Sequence, residues 1–93
     1  MRLWGQIYTD GQRIADKIAS IDIRKKSELS QHEDLIMQTL TLLSHELDLE
    51  RPVIVKKHLN DLYTYGQTVF RPQDFVESVT FDRFVVEVIP DEK

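Results

Sequence analysis

The segment from Arg2 to Gln12, RLWGQIYTDGQ, decides the fold that we predict for this chain. Its first part alternates, so that Leu3 and Ile7 point to one face of a strand and Trp4 and Tyr8 to the other. An Asp-Gly step follows at positions 10 and 11. A type I′ turn needs positive φ at both central residues, and these two residue types tolerate it best. The segment therefore predicts the first strand and the turn of a β-hairpin.

The second arm of the hairpin, from Arg13 to Ile23, carries two periodicities. Ile14 and Ile18 have helical spacing, whereas Ala15, Ala19 and Ile21 belong to a strand alternation. We favour a strand, because the turn requires a partner for the first strand and Ile-Asp-Ile suits an extended exit. A helix over this segment stays open as the alternative.

A long amphipathic helix is the next predicted element, after a polar connector at Arg24 to Glu28. Ser30 and Glu33 fit a capping box, in which the serine oxygen accepts from the backbone N–H of Glu33. A stripe at helical spacing follows, formed by Ile36, Leu40, Leu43 and Leu47. The helix should end near Asp48, because Pro52 disfavours helical backbone at the residue before it.

The second half of the chain predicts shorter elements. Lys56 to Tyr65 indicates a second helix closed by Gly66, and Thr68 to Phe70 a short strand. A helical turn should begin at Pro72, and Phe81 to Ile89 alternates as a final strand. We therefore predict one α+β domain over residues 1–93. Its small antiparallel sheet is the N-terminal hairpin plus the C-terminal strand, with one long and one or two short helices packed mainly on one face.

Composition excludes several classes of function. The 93 residues carry a formal net charge of −4 and no cysteine, which excludes disulfides, thiolate metal ligands and thiol nucleophiles. A net-acidic domain repels phosphate backbones, which disfavours nucleic-acid binding. No segment reaches the roughly 18 apolar residues of a membrane span, and the N-terminus lacks the pattern of a signal peptide. We therefore expect a cytoplasmic protein that does not enter the membrane.

The stretch SHELDLE, Ser44 to Glu50, contains the beginning of a zinc-protease motif. That motif needs a second histidine four residues after the first, so that both imidazoles reach one metal. Leu49 stands at that position. His45 and Glu46 therefore fit an exposed helix end better than a metal site, and only folding could add His58. These three residues are the weak metal candidates, and we expect no cofactor.

Two basic clusters, Arg24 to Lys26 and Lys56-Lys57, could form an anion or nucleic-acid patch if folding joined them. Solvated surface charge is the simpler interpretation, because the domain lacks the overall basic charge of nucleic-acid binders.

Aromatic residues give the strongest functional signal in the sequence. Trp4 and Tyr8 share one strand face, and Val85 lies opposite the apolar face of the last strand. An uncovered sheet face with these three residues would be a surface for a protein partner or a second copy. The alternative is that another segment folds over this face and buries it.

Three short motifs make the chain resemble a group of short bacterial proteins known mainly from anaerobic Firmicutes. These are Trp4-Gly5 in the first strand, Arg51-Pro52 after an acidic helix, and Phe81-Asp82 before an alternating last strand. The resemblance implies the same hairpin and terminal strand. That group has no assigned activity, so it implies no catalytic or binding residue.

The sequence shows no phosphate-binding glycine loop and no nucleophile motif, and we identify no catalytic residue. We expect a non-enzymatic module that acts by protein association. The alternatives are a small metal-binding or metal-assisted enzyme domain and, third, a weak binder of nucleic acid or other anions.

Overall fold

The computed structural model describes residues 1–91 and contains four strands, two α-helices and two short 3-10 helices. The strands are β1 (Arg2–Thr9), β2 (Gln12–Ser20), β3 (Gln67–Phe70) and β4 (Arg83–Ile89). The helices are α1 (Glu33–Glu46) and α2 (Lys56–Tyr65), and the 3-10 helices span Lys26–Gln31 and Pro72–Asp74. This arrangement confirms the predicted α+β class.

The hairpin forms as the sequence predicts. Asp10 and Gly11 have φ values of 53° and 79°, the positive values that a type I′ turn requires. The second arm is a strand and the helical alternative is wrong, because pairing with β1 outweighs the local helical spacing. The strand ends at Ser20, three residues before the predicted end at Ile23. The register shifts at Ile7/Tyr8 and leaves Ile14 as an extra residue in β2.

The four strands form one antiparallel sheet in the order β2-β1-β4-β3. The first and last strands of the sequence are thus its central pair. Leu3, Ile7 and Phe84 lie on the face where the helices pack, and each is at most 5% exposed. α1 covers this face with Ile36, Leu40 and Leu43, and α2 contributes Leu59 and Leu62. Burying one such side chain stabilises the fold by about 1.5–3 kcal/mol.

The start of α1 differs from the prediction. Its N-cap is His32, which makes no side-chain capping bond, so the predicted box of Ser30 and Glu33 is wrong. Ser30 instead lies in the first 3-10 helix. The fully buried Leu29 holds that helix against the core, and burying it outweighs a favourable cap at Ser30, two residues before the observed N-cap. The polar connector consequently ends at Lys25.

The C-terminal end of α1 lies within the stretch SHELDLE. The helix ends at Glu46, and Asp48 adopts a left-handed φ of 58°. The Leu49 N–H donates to the Ser44 carbonyl at 2.8 Å, which turns the chain back towards the core. Leu49 is half-buried, as is Leu47.

α2 has the bounds that the sequence predicts. At its N-terminus the Val55 N–H donates to His58 Nδ1 at 3.0 Å, so a buried histidine side chain caps this end. Gly66, with φ of 72°, ends the helix and leads directly into β3. No helix among residues 1–91 has the length and apolar character to cross a membrane.

Candidate interaction surface on the open sheet face

One face of the sheet lies opposite the helices. The core residues of α1 and α2 pack on the face of Leu3 and Ile7, and side chains alternate along a strand. Trp4, Tyr8 and Val85 therefore point the other way, where no helix of residues 1–91 packs. The sequence left open whether this face is covered, and the two α-helices of the described residues pack on the opposite face. We call it the open face.

Three rows of side chains cross the open face. In the strand order β2, β1, β4, the rows are Arg13–Tyr8–Arg83, Asp16–Gln6–Val85 and Ile18–Trp4–Glu87. β3 adds Val69 beside Val85 and Gln67 beside Glu87. One end of the face is therefore basic and aromatic, and its middle is mixed.

Two contacts hold Trp4 on the inner strand β1, near one end of the open face. Its indole Nε1 donates to Asp16 Oδ2 at 2.8 Å, and the Arg13 guanidinium carbon lies 4.9 Å from the ring centre. A cation over an indole face is attracted by the ring quadrupole. The ring thus keeps one orientation while remaining partly exposed, which lowers the entropy that Trp4 would lose on binding.

A chain of hydrogen bonds fixes the centre. The Tyr8 hydroxyl donates to Gln6 Oε1 at 2.8 Å, and Gln6 Nε2 donates to Glu87 Oε1 at 3.0 Å. Gln6 is only 2% exposed, so the amide is shielded by its neighbours and both of its ends are bonded. Arg83 lies over the Tyr8 ring, with its guanidinium carbon 4.4 Å from the ring centre. Tyr8, Arg83 and Glu87 are therefore positioned before any partner arrives.

Val85 forms the floor of a shallow depression of about 260 Å³. It is 7% exposed, yet it lies outside the hydrophobic core cluster, because its shielding comes from side chains of the open face itself. Tyr8 and Arg83 line one end of the depression and Glu87 the other. One end of the depression therefore carries a cationic side chain, and the other end carries a carboxylate.

The three weak metal candidates occupy different environments. His45 and Glu46 are exposed in the last turn of α1, where a histidine favours the negative end of the helix dipole. His58 is 5% exposed in α2. Within residues 1–91, no group of three metal-ligating side chains comes together.

His58 instead has a structural role. Its ring lies 4.3 Å from the ring of Phe70, and its Nε2 is 3.5 Å from Asp74 Oδ2. Since Nδ1 accepts from the Val55 N–H, the ring proton of the neutral imidazole lies on Nε2, towards Asp74. The same Asp74 oxygen accepts from the Arg71 N–H at 2.8 Å. His58 thus ties α2 to the turn after β3.

Lys26 of the first basic cluster and the second cluster, Lys56-Lys57, lie at opposite ends of α2. Lys56 and Lys57 are its first two residues, whereas the Lys26 side chain lies against Gly66 at its C-terminal end. Ten helical residues span about 15 Å. Folding therefore does not merge Lys26 with the second cluster into one patch.

Sequence reasoning missed the polar members of the open face. Gln6 looks unremarkable in a strand, and the register that places it between Tyr8 and Glu87 depends on pairing between residues about eighty positions apart. The alternation of β4 does put Arg83 and Glu87 on the face of Val85, and this signal could have identified both. The bulge that brings Arg13 opposite Tyr8 has no sequence signal that we recognise.

Comparisons with known proteins give no match: no protein-family model, no curated protein and no solved structure is significantly similar to the chain. The resemblance to the short bacterial proteins stays a prediction.

Proposed function

We propose that this protein is a non-enzymatic association module that forms a homodimer through the open face. One observation carries the proposal: on β4, Arg83 and Glu87 lie on the open face at equal distances on either side of Val85. This order of cation, apolar residue and anion is complementary to itself when reversed.

A two-fold axis across the strands and over Val85 uses this order. It places Arg83 against Glu87 of the second copy, twice in each dimer, on either side of the depression above Val85. A two-fold interface is isologous, so each contact made in one direction is repeated in the other. Opposite charges within about 4 Å attract, and like charges at these positions would repel.

The same axis brings the aromatic residues of β1 together. Tyr8 and Trp4 lie on either side of Gln6, so Trp4 of one copy faces Tyr8 of the other. Offset or edge-on aromatic pairs contribute about 0.5–1.5 kcal/mol beyond the area that they bury. At the flank, Asp16 would face its own copy, and Arg13, which lies over the neighbouring Trp4 ring, supplies the compensating charge.

The size of the open face limits the affinity. Four strands about 4.8 Å apart and seven residues at about 3.3 Å each give roughly 440 Å² per copy. Two copies would bury about 900 Å², which is below the ~1,600 Å² of a standard stable interface. We therefore expect a weak dimer, with a dissociation constant in the micromolar range.

Sedimentation equilibrium from about 5 μM to 1 mM tests this function. We expect a monomer–dimer equilibrium for the native chain and a dimer at least about tenfold weaker for Trp4→Ala, a loss of about 1.4 kcal/mol. Trp4→Phe, which keeps an aromatic ring, is the matched control and should lie between the two. A chain that stays monomeric throughout this range would overturn the proposal.

A further inference from the structure

A groove runs along the other side of β3, between this edge strand and α2. Its volume is about 580 Å³. It shares Gln67 and Val69 of β3 with the open face, and no residue of β1, β2 or β4 lines it. Lys57, Asp61 and Tyr65 line one side, and residues 67–69 of β3 line the other. Arg71 stands at one end. We call this cavity the edge groove.

The helical wall is regular. Lys57, Asp61 and Tyr65 are spaced by four residues, so they lie on one side of α2. The left-handed Gly66 joins the helix directly to β3, and the two elements run in opposite directions beside each other. α2 is about 15 Å long and the four residues of β3 about 13 Å, so the walls match in length.

The strand wall presents unpaired backbone groups. The Val88 N–H donates to the Gly66 carbonyl at 2.7 Å. Backbone groups alternate in direction along an antiparallel strand, so those of Thr68 and Phe70 also face β4. The N–H and C=O groups of Gln67 and Val69 therefore face outward, and within residues 1–91 they bond to no other backbone group. Four groups are available to pair with one more strand.

Two positive charges at one end of the edge groove favour a ligand with an acidic group. Lys57 Nζ lies 3.2 Å from Asp61 Oδ2 and is 81% exposed, and no carboxylate of residues 1–91 lies within 4 Å of the Arg71 guanidinium. These two cations stand at the end of the groove where α2 begins and β3 ends. An acidic group placed there would pair with both.

The opposite edge of the sheet is built to reject a strand. β2 carries the bulge at Ile14, and charged residues, Arg13, Asp16 and Lys17, follow along it. Bulges and charges on an edge strand block the pairing of another chain. β3 carries no bulge in its pairing with β4 and no charged residue between Gln67 and Phe70.

We propose that the edge groove binds an extended peptide segment of a partner protein, which adds a fifth strand beside β3 and places an acidic side chain against Arg71 and Lys57. Main-chain hydrogen bonds from Gln67 and Val69 would supply the affinity, as in other cases of strand addition. The acidic side chain would supply selectivity.

Two fluorescein-labelled hexapeptides test this proposal, Glu-Glu-Thr-Val-Thr-Val and its matched control Lys-Lys-Thr-Val-Thr-Val. By fluorescence anisotropy we expect saturable binding of the acidic peptide, at least about tenfold tighter than that of the basic one. Amide shifts in ¹⁵N spectra of the native chain should concentrate at Gln67 to Phe70. Equal binding of both peptides, no binding below 1 mM, or shifts centred elsewhere would overturn the proposal.

Two variants locate the site. Val69→Pro removes an outward N–H without removing a bond to β4, and proline is tolerated on edge strands. We expect it to reduce binding of the acidic peptide at least tenfold, whereas Val69→Thr should retain binding. Arg71→Glu should reverse the preference between the two peptides. Trp4→Ala should leave peptide binding unchanged, which separates this proposal from the dimer; unchanged binding by both Val69→Pro and Arg71→Glu would contradict it.

Discussion

Arg83 and Glu87 lie on the same face of β4, two positions before and two positions after Val85, and β1 carries Tyr8 and Trp4 in the same relation to Gln6. When the direction of both strands is reversed, Arg83 takes the place of Glu87, and Tyr8 takes the place of Trp4. On β1 and β4 this order is the one that the proposed dimer uses, in which a second copy is turned by 180°.

The environment of Trp4 should report the association. Trp4 is the single tryptophan of the chain and lies on the open face, so its fluorescence reads this surface alone. We expect acrylamide quenching to fall as protein concentration rises from about 5 μM to 1 mM, because a second copy covers the ring. Arg83→Glu is the control, and its quenching should begin to fall only at concentrations at least about tenfold higher than for the native chain. Quenching of the native chain that is constant over this range would argue against dimerisation through the open face.

Thr68 offers a stabilising substitution. Its side-chain oxygen Oγ1 is buried and has no hydrogen-bond partner among residues 1–91. Such a group loses its bonds to water without replacement, at a cost of about 1–3 kcal/mol. Thr68→Val should therefore raise the free energy of unfolding by about 1 kcal/mol, which is about 4–8 °C in melting temperature for a domain of this size.

Thr39 provides the matched control for that experiment. It is also a buried threonine, but its Oγ1 donates to the Leu35 carbonyl at 2.8 Å. Thr39→Val removes a made bond and should not stabilise the fold. Equal melting temperatures for both variants would show that the Thr68 hydroxyl carries no penalty.

Gly5 is required by the packing of β1 against the core. A Cβ at this position would lie 3.0 Å from Phe84 Cε1 and 3.5 Å from Leu47 Cδ1. Phe84 is fully buried and would have to shift against its neighbours to admit a methyl group, so Gly5→Ala should lower the free energy of unfolding by about 1–3 kcal/mol in urea denaturation. In a Phe84→Leu background the same change should cost less. An equal cost in both backgrounds would place the origin of the effect elsewhere.

Tyr63 makes stability depend on alkaline pH. Burial raises the pKa of its phenol above the ordinary value of 10.0, and the nearby Glu33 carboxylate, which accepts its hydrogen bond at 3.3 Å, raises this pKa further. The folded chain then holds the phenolic proton more tightly than the unfolded chain, so the free energy of unfolding falls as pH rises above about 10. Below that pH the folded and unfolded chains both keep the phenolic proton, so Tyr63 makes no contribution to the pH dependence of the free energy of unfolding.

NMR titration of ¹³Cζ-labelled tyrosine measures this shift. We expect Glu33→Gln to lower the Tyr63 pKa only in part, because burial is the larger cause. Tyr63→Phe should remove the corresponding part of the alkaline loss of stability. A Tyr63 pKa at or below its ordinary value would contradict the description of this contact.

Local patterns predicted most of the elements. The Asp10-Gly11 turn, the Gly66 helix end and the alternation of β4 each depend on neighbouring residues, and the structure confirms all three. The start of α1 was predicted wrongly because Leu29 is buried in one core with sheet residues of the second half, Phe70 and Phe84, which lie 41 and 55 positions further along the chain. A local capping pattern carries no information about that burial.

In the candidate surfaces too, local patterns predicted some residues, whereas others depend on long-range pairing. The sequence identified Trp4, Tyr8 and Val85 from alternation alone. It could not identify Gln6 as their link, because only the antiparallel register brings Gln6 to Glu87. The sequence could not predict the edge groove either, because the groove forms only where α2 packs beside β3.

The most direct test of the dimer mixes two charge variants. Arg83→Glu gives an open face with two anions on β4, and Glu87→Arg gives one with two cations. Each variant alone should be at least about tenfold weaker in self-association than the native chain, because like charges meet at both symmetric contacts. Circular dichroism should show both to be folded.

Sedimentation equilibrium of an equimolar mixture then decides the matter. The dimer model pairs each new anion at position 83 with a new cation at position 87, so we expect a heterodimer at least as tight as the native homodimer. If the mixture sediments as the sum of two non-associating variants, or if the variants alone associate like the native chain, the two-fold pairing through the open face is wrong.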